Sequence, residues 1–273
     1  MNIDLHVHLK SENHSAWQDE LKQFVKTCET NETRACLLGG SKKIIGFSND
    51  EVLTVCRDYS DWLIPFAMVE LWDKDVSADS ISRYKEQGFK GLKCIMPYYP
   101  YDHDSYMPIY EEAERLKMPI VFHTGVIFQH TYDTVTRRPS LRNMEPLTMD
   151  RIARSFQKLK IVMAHMGTTM FREQAAELLK FHPNLYADLA GTGSWYELQP
   201  SRLLELSKPT AAEFDPEMNF FRKLVLGSDA YTCFPDMIER SNRGHEELFA
   251  RINLPKPIIA DIMGKTVASW INE

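Results

Sequence analysis

The sequence lacks the features that would direct it to a membrane or to nucleic acid. No apolar run is long enough to span a bilayer, and the chain does not begin with a charged segment followed by an apolar one. Basic residues are a minority, with 32 lysines and arginines against 38 acidic residues, which argues against a polyanion-binding surface. We therefore expect a cytoplasmic protein with a small-molecule partner, and neither nucleic acid nor a membrane as a partner.

Cysteine is scarce, and a glycine-rich phosphate turn is missing. The five cysteines are widely spaced without a Cys-x-x-Cys pair, which is not typical of a disulfide framework or a structural zinc knuckle and indicates a reducing compartment. The first apolar run ends in Val-His-Leu-Lys-Ser, where a doubly wound nucleotide-binding sheet would carry glycines. An open doubly wound sheet is therefore the second choice of fold.

Short apolar runs alternate with helical patterns along the whole chain, without a linker or a repeat. The runs are rich in Val, Ile, Leu and Phe, as buried parallel strands are. Eight such units predict an α/β fold, a (β/α)₈ TIM barrel formed by residues 1–273 as a single domain. The predicted strands are Asn2–Leu9, Thr33–Gly39, Leu63–Val69, Gly91–Met96, Pro119–Thr124, Lys160–Met166, Asn184–Leu189 and Lys223–Ser228. The clearest predicted helices are Ser105–Lys117, with Ser105 as its N-cap, and Gln174–Phe181.

The first strand carries two histidines at alternate positions. Ile3, Leu5, Val7 and Leu9 alternate with Asn2, Asp4, His6 and His8. Because successive side chains of a strand point to opposite faces, we expect the apolar set to face the helices and the polar set to face the barrel interior. Two imidazoles at the carboxyl end of a strand can bind one metal ion, although solvated loop histidines are an equally good interpretation of His6 and His8 alone.

Three other predicted strands also end in an ionisable residue. His123 ends the fifth run, His165 ends the sixth, and Asp229 follows the eighth. Barrel enzymes collect their catalytic groups at the carboxyl ends of the strands, so we expect these side chains to lie at one mouth of the barrel. Nitrogen-rich ligation with one carboxylate favours Zn²⁺, with Mn²⁺, Fe²⁺ or Co²⁺ as alternatives. A metal-activated water and a carboxylate that takes its proton would suit hydrolysis.

The motifs together resemble those of the amidohydrolase superfamily. His6-x-His8, His123, His165 and Gly-Ser-Asp229 are similar to its amidohydrolase-2 branch, which is related to aminocarboxymuconate semialdehyde decarboxylase. The resemblance implies one divalent metal ion bound by His6, His8, His123 and Asp229. It also implies that His165 orients the substrate or activates water, and that Asp229 exchanges protons. The residues alone do not decide between His123 and His165 as the ligand.

Lys93 lies in the fourth predicted strand, at a position where binuclear relatives carry a carboxylated lysine between two metal ions. It shares a strand face with Gly91 and Ile95 and is expected to point inward. We favour an unmodified lysine beside a single metal ion, either as a contact for substrate or as a structural cation near Asp229. The alternative is a carbamate that holds a second ion.

The leading prediction is a metal-dependent hydrolase of a small-molecule amide, ester or lactone. The alternatives are a nonoxidative decarboxylase, that is, a lyase of an unsaturated or aromatic carboxylic acid, and a barrel that binds ligands without turnover. The long segment after the fifth strand contains Arg137, Arg138 and Arg142, and one of them could bind an acidic substrate group. Solvated surface charge is the slightly favoured interpretation of these arginines. The resemblance also allows a homodimer, since dimers are common among similar proteins.

Overall fold

A computed structural model describes residues 1–11, 15–41, 47–73, 76–127, 140–191, 195, 197–208 and 219–271. Its strands are all parallel and form one sheet in the order β8-β7-β6-β5-β4-β3-β2-β1-β9. The strands are Asn2–His8 (β1), Thr33–Leu38 (β2), Leu63–Val69 (β3), Gly91–Cys94 (β4), Ile120–His123 (β5), Ile161–Ala164 (β6), Leu185–Asp188 (β7), Leu224–Val225 (β8) and Ala230–Tyr231 (β9).

Helices follow the strands on the outside of this sheet. They are Trp17–Thr30 (α1), Asn49–Asp58 (α2), Ala78–Gln87 (α3), Met107–Arg115 (α4), Thr148–Ser155 (α5), Thr168–Leu179 (α6), Pro200–Leu206 (α7), Asp236–Arg251 (α8), Lys256–Ala260 (α9) and Thr266–Ile271 (α10). The predicted TIM barrel is confirmed by this architecture. In the part of the chain that the structure describes, no helix combines the length and apolarity needed to cross a membrane.

The eighth strand position is divided between two short strands, β8 and β9. β8 pairs with β7, and β9 pairs with β1, which brings the two edges of the sheet together. Between them, the amide of Leu5 donates to the carbonyl of Leu226 and the amide of Asp229 donates to the carbonyl of His6, each at 2.9 Å. The predicted continuous strand Lys223–Ser228 is therefore wrong in its second half, where the chain turns to present Asp229.

The first strand does not alternate as the sequence predicts. Its register against β2 shifts between Asp4 and Val7, so that two residues of β1 lie opposite one residue of β2. Leu5 packs in the same buried cluster as Val121 and Val162 from the far side of the barrel, and Ile3 belongs to this cluster too. The expectation that Ile3 and Leu5 face the helices is wrong, because the bulge places Leu5 and His6 consecutively on the inside.

Beyond the bulge the alternation is as predicted, and it positions the histidines. Val7 and Leu9 pack against helix α1 in a cluster with Leu21 and Phe24. His6 and His8 are both buried, at 1% and 7% exposure. The apolar interior formed by Leu5 and its neighbours therefore lies directly below the layer that contains the two histidines.

The predicted helix Ser105–Lys117 begins differently from the expectation. Residues Asp104–Tyr106 form a 3₁₀ turn, and α4 begins only at Met107 with Pro108 in its first turn. His103, rather than Ser105, accepts a hydrogen bond from the first turn, through Nδ1 from the amide of Ser105 at 3.3 Å. Ser105 is therefore not the N-cap of this helix. The other predicted helix, Gln174–Phe181, is the second half of α6.

Candidate metal centre

The first strand and the turn after β8 bring three predicted site residues together. Nε2 of His8 lies 3.4 Å from Oδ1 of Asp229, and Nε2 of His6 lies 3.6 Å from the same oxygen. The ligand atoms of these three residues all lie within 4.8 Å of one another. Imidazole nitrogens and a carboxylate at this spacing are a donor set suited to Zn²⁺ and to similar divalent ions.

The fifth and sixth strands place His123 and His165 beside each other. Nε2 of His165 lies 3.2 Å from Nδ1 of His123, and the ring centroids of His165 and His6 are 4.8 Å apart. Among the described residues, His123 does not join the compact group of His6, His8 and Asp229. Its buried Nε2 and the buried Nδ1 of His8 have no hydrogen-bond partner in the described chain, which is costly unless a bound group satisfies them.

The buried histidines are held in their neutral form. Burial lowers the pKa of His6 and of His123 well below the ordinary value. The neighbouring side chains add to this effect, Lys93 at His6, and His165 followed by Lys93 at His123. Burial also lowers the pKa of His8, against the opposing effect of Asp229. Neutral imidazole is the form that binds metal ions. The neutral state of these three side chains therefore fits their proposed role as ligands.

Asp229 is ionised beside these histidines. Burial raises the pKa of Asp229, but the hydrogen bond with His8 and the neighbouring imidazoles lower it by more, so the pKa lies below its usual range. Its backbone has a positive φ of 62°, and His165 has a φ of 63°, a conformation that is uncommon for residues other than glycine. Such backbone conformations are concentrated at functional sites, where the surrounding structure holds them.

Lys93 points into the barrel, as predicted, and is completely buried at 0% exposure. Its Nζ lies 3.1 Å from Nε2 of His6. Burial lowers the pKa of Lys93 to about 8, although Asp188 and Asp229 oppose this effect. The lysine is therefore within reach of the candidate ligands.

The sequence analysis missed Asp188, at the carboxyl end of β7. This carboxylate is fully buried and its Oδ2 lies 2.9 Å from Nδ1 of His6. Its Oδ1 accepts hydrogen bonds from the amides of His165 at 2.6 Å and Ala190 at 3.0 Å. The run Leu-Tyr-Ala-Asp188 carries the same signal as the other strand ends, an ionisable residue after an apolar strand, and could have been selected for that reason.

A shallow cavity of about 360 Å³ lies at the barrel mouth next to Asp229. Tyr231, Phe234 and Arg240 line it together with Asp229. Of the three arginines considered in the sequence analysis, Arg137 and Arg138 lie outside the described residues, and Arg142 is exposed in the 3₁₀ turn Leu141–Met144. Arg240, in contrast, lines a cavity together with the candidate ligand Asp229.

Comparisons with known proteins support the barrel fold. Solved structures of the same fold include a TIM-barrel protein from Bordetella bronchiseptica, at 13% identity and a TM-score of 0.69 over 100% of this chain and 99% of that one. A probable 2-pyrone-4,6-dicarboxylic acid hydrolase from Acinetobacter baumannii, crystallised with citric acid, is 16% identical with a TM-score of 0.62, over 100% and 99% of the two chains. At these identities the likeness establishes the fold alone.

A third similar structure carries a metal ion. It is a dihydroxybenzoic acid decarboxylase from Polaromonas sp. JS666 with bound manganese and the inhibitor 2-nitroresorcinol, 13% identical with a TM-score of 0.62 over 99% of this chain and 96% of that one. A search of curated proteins found no match. The amidohydrolase family model matches residues 43–266, which is most of the chain but begins after His6 and His8. The chain therefore belongs to the amidohydrolase superfamily, in its amidohydrolase-2 branch.

Proposed function

We propose that this enzyme is a metal-dependent hydrolase of a small-molecule amide, ester or lactone. The observation that carries the proposal is the convergence of His6, His8 and Asp229 at the carboxyl ends of barrel strands, with unpartnered imidazole nitrogens beside them. His123 would complete the ligand set through its Nε2. We propose Zn²⁺ as the resident ion, with Mn²⁺ as the first alternative because a barrel of the same fold binds it.

A bound divalent ion would lower the pKa of a coordinated water and polarise a carbonyl oxygen. The proton transfers fall to the residues of this chain. Asp229 is ionised and partly exposed towards the mouth, so it can accept a proton from the attacking water. His165 turns Nε2 towards the histidine cluster, while its Nδ1 is hydrogen-bonded to the carbonyl of Ala190 at 2.9 Å. We assign His165 the orientation of the substrate or the activation of water, and we assign Asp229 the return of its proton to the leaving group.

Arg240 is the candidate contact for a substrate carboxylate at the mouth cavity, which Asp229 and Asp236 also line. A guanidinium binds a carboxylate in bidentate fashion, and Arg240 lines the cavity that Asp229 also lines. Tyr231 and Phe234 offer aromatic surface there, which suits a planar or unsaturated molecule. Lys93 is a second candidate contact, deeper in the barrel.

The same cavity gives the decarboxylase alternative a specific basis. An aromatic or unsaturated acid would fit between Arg240 and the aromatic side chains, and one similar barrel is described as a dihydroxybenzoic acid decarboxylase. In that reaction a carbon–carbon bond to the carboxylate breaks and the carbon is protonated, so the same proton-carrying residues would serve.

Metal analysis combined with a product assay tests these proposals. The purified protein is expected to contain one divalent ion per chain and to act on a panel of carboxylated lactones, esters, amides and aromatic acids. Acid release without carbon dioxide supports the hydrolase, whereas carbon dioxide release supports the lyase. A protein that binds metal and ligand tightly but turns over nothing in the panel would be a binding protein instead.

Arg240→Ala tests the substrate contact. With an acidic substrate from the panel, the KM is expected to rise at least about 10-fold, because one charge-assisted bidentate contact is lost. Arg243→Ala is the matched control, since Arg243 lies one turn along the same helix and faces Glu239 and Glu247. Equal KM values in the two variants would exclude Arg240 from substrate binding.

A further inference from the structure

Asp188 uses both of its carboxylate oxygens inside the barrel. Oδ2 contacts Nδ1 of His6 at 2.9 Å, and Oδ1 accepts the amides of His165 and Ala190. An ionised carboxylate is an acceptor only, so each of these three contacts requires a hydrogen on the nitrogen. Asp188 is thus held by three donors that come from β1 and from the ends of β6 and β7.

The tautomer of His6 follows from its two neighbours. Asp188 requires a hydrogen on Nδ1 of His6, and the ammonium of Lys93, which only donates, requires a lone pair on Nε2. Both contacts specify the same neutral tautomer. In that tautomer the lone pair of Nε2 faces the group formed with His8 and Asp229, which is the form needed to bind a metal ion.

A second chain of contacts specifies the tautomer of His123. The carbonyl of Ala190 accepts from Nδ1 of His165, which leaves a lone pair on Nε2 of His165. That lone pair requires a hydrogen on Nδ1 of His123, and the lone pair of His123 is then on its unpartnered Nε2. Asp188 fixes the first two members of this series of hydrogen bonds, because its carboxylate accepts from the backbone amides of both His165 and Ala190.

We propose that Asp188 is a positioning residue that sets the tautomers of two candidate metal ligands, His6 by direct contact and His123 through His165 and Ala190. The proposal rests on the metal centre proposed above. Carboxylates that orient metal-binding histidines in this manner raise the metal affinity of a site.

Asp188 could also be considered a ligand, because its carboxylate, His6 and His165 form a second compact group. The hydrogen bonds argue against that role. Both oxygens already accept from nitrogen donors, and two of those donors are backbone amides that cannot turn away without moving the chain. A carboxylate in this position supports the ligands more readily than it joins them.

Asp188→Asn tests the proposal because it keeps the size of the side chain. An amide has one acceptor, so it can satisfy either the two backbone amides or the hydrogen on His6, but not both. If the oxygen keeps the backbone amides, the NH₂ group faces His6 and favours the tautomer with hydrogen on Nε2. We expect the affinity of the full-length protein for Mn²⁺, measured from free Mn²⁺ by electron paramagnetic resonance, to fall about 10- to 100-fold.

Asp4→Asn is the matched control. Asp4 is also buried, and its Oδ1 accepts two backbone amides, from His6 at 3.0 Å and Ser228 at 3.1 Å. Its Oδ2 has no hydrogen-bond partner among the described residues, so an amide can replace it without reversing a contact to a histidine ring. Both variants remove a buried charge, but only Asp188→Asn is expected to weaken Mn²⁺ binding by more than about threefold.

Nitrogen NMR of the metal-free protein provides a readout that does not depend on metal. The signals of His6 are assigned by their absence from the spectrum of His6→Gln. In the wild-type protein we expect both His6 and His123 to carry their hydrogen on Nδ1. Asp188→Asn is expected to shift His6 towards hydrogen on Nε2. A wild-type His6 with its hydrogen on Nε2, or unchanged tautomers and Mn²⁺ affinity in Asp188→Asn, would overturn the proposal.

Each outcome separates this proposal from the proposed function. If the wild-type protein binds neither Mn²⁺ nor Zn²⁺, the proposed metal centre is wrong. The tautomers of His6 and His123 in the NMR spectra still test the role of Asp188. If Asp188→Asn does not fold, the tautomers of wild-type His6 and His123 alone decide it.

Discussion

Each imidazole of the cluster has two nitrogens, and the partner of one decides the chemistry of the other. His8 is the simplest case, because its Nε2 lies near Asp229 and its Nδ1 has no partner in the described chain. A sequence motif names the histidine but does not say which nitrogen faces the site. The neighbours supply that information, and single substitutions can test it.

His8→Ala removes a proposed ligand without removing a core side chain of the apolar layer. We expect Zn²⁺ affinity to fall by more than about 100-fold, since even residues that only support ligands contribute about 10- to 100-fold. Competition with a chelating dye measures this change. His182→Ala is the control, because His182 lies outside the cluster and contacts Asp150. Similar Zn²⁺ affinities in the two variants would contradict the ligand assignment.

Lys93→Met distinguishes one metal ion from two. If Lys93 is an unmodified ammonium beside His6, its removal takes away a positive charge, and the variant is expected to bind one ion per chain at least as tightly as the wild-type protein. Metal counting by mass spectrometry measures the stoichiometry. Two ions in the wild-type protein and one in Lys93→Met would show instead that a carboxylated lysine holds the second ion.

Helix α8 carries a buried histidine that has no part in the metal centre. His245 is completely buried, its Nδ1 lies 2.8 Å from the carbonyl of Ser241, and its ring packs near Trp195 and Phe249. Burial lowers its pKa from 6.5 to about 4. The folded helix therefore keeps this side chain neutral under conditions in which the unfolded chain would protonate it.

This difference in pKa predicts a pH-dependent stability of α8 and of the fold. Between the unfolded value of 6.5 and the folded value of about 4, the unfolded chain binds more protons, so stability is lost as the pH falls through this window. The loss at pH 5 relative to pH 8 is about 2 kcal/mol from this group. Urea unfolding of the wild-type protein and of His245→Phe at both values measures it. Equal losses in the two proteins would contradict the prediction.

The elements show which parts of the site the sequence could predict. The hydrophobic runs predicted the strands of the barrel. The ionisable residues at the ends of these runs predicted the candidate histidines and Asp229. The bulge in β1 could not be predicted, because it arises from the match of β1 to both β2 and the split eighth strand rather than from any local pattern. The contacts of Asp188 depend on the spatial adjacency of β7 with β1 and β6, which distant sequence positions do not reveal.

Binding of the proposed ion by the candidate ligands from β1, β5 and the turn after β8 would connect distant parts of the chain, so we expect it to stabilise the whole molecule. Ligand that binds only the folded state adds about 2.7 kcal/mol at a hundredfold excess over its Kd. At a free Mn²⁺ concentration of about 100 times its Kd, we expect the free energy of unfolding to exceed that of the chelator-treated protein by about this amount. Urea denaturation measures the difference. His8→Ala is expected to show little of this gain, and an equal gain in that variant would point to binding elsewhere.

The bulge in β1 also determines from which side the site can exchange protons and water. Leu5 and His6 follow each other on the inside, so the interior changes from hydrocarbon to imidazole within about 3.3 Å, the rise of one strand residue. Leu5, Val121 and Val162 belong to one buried apolar cluster below the histidines, and Asp229 borders the cavity at the mouth. In the part of the chain that the structure describes, reactant and product would therefore enter from the mouth side, and occupants of that side would compete with one another.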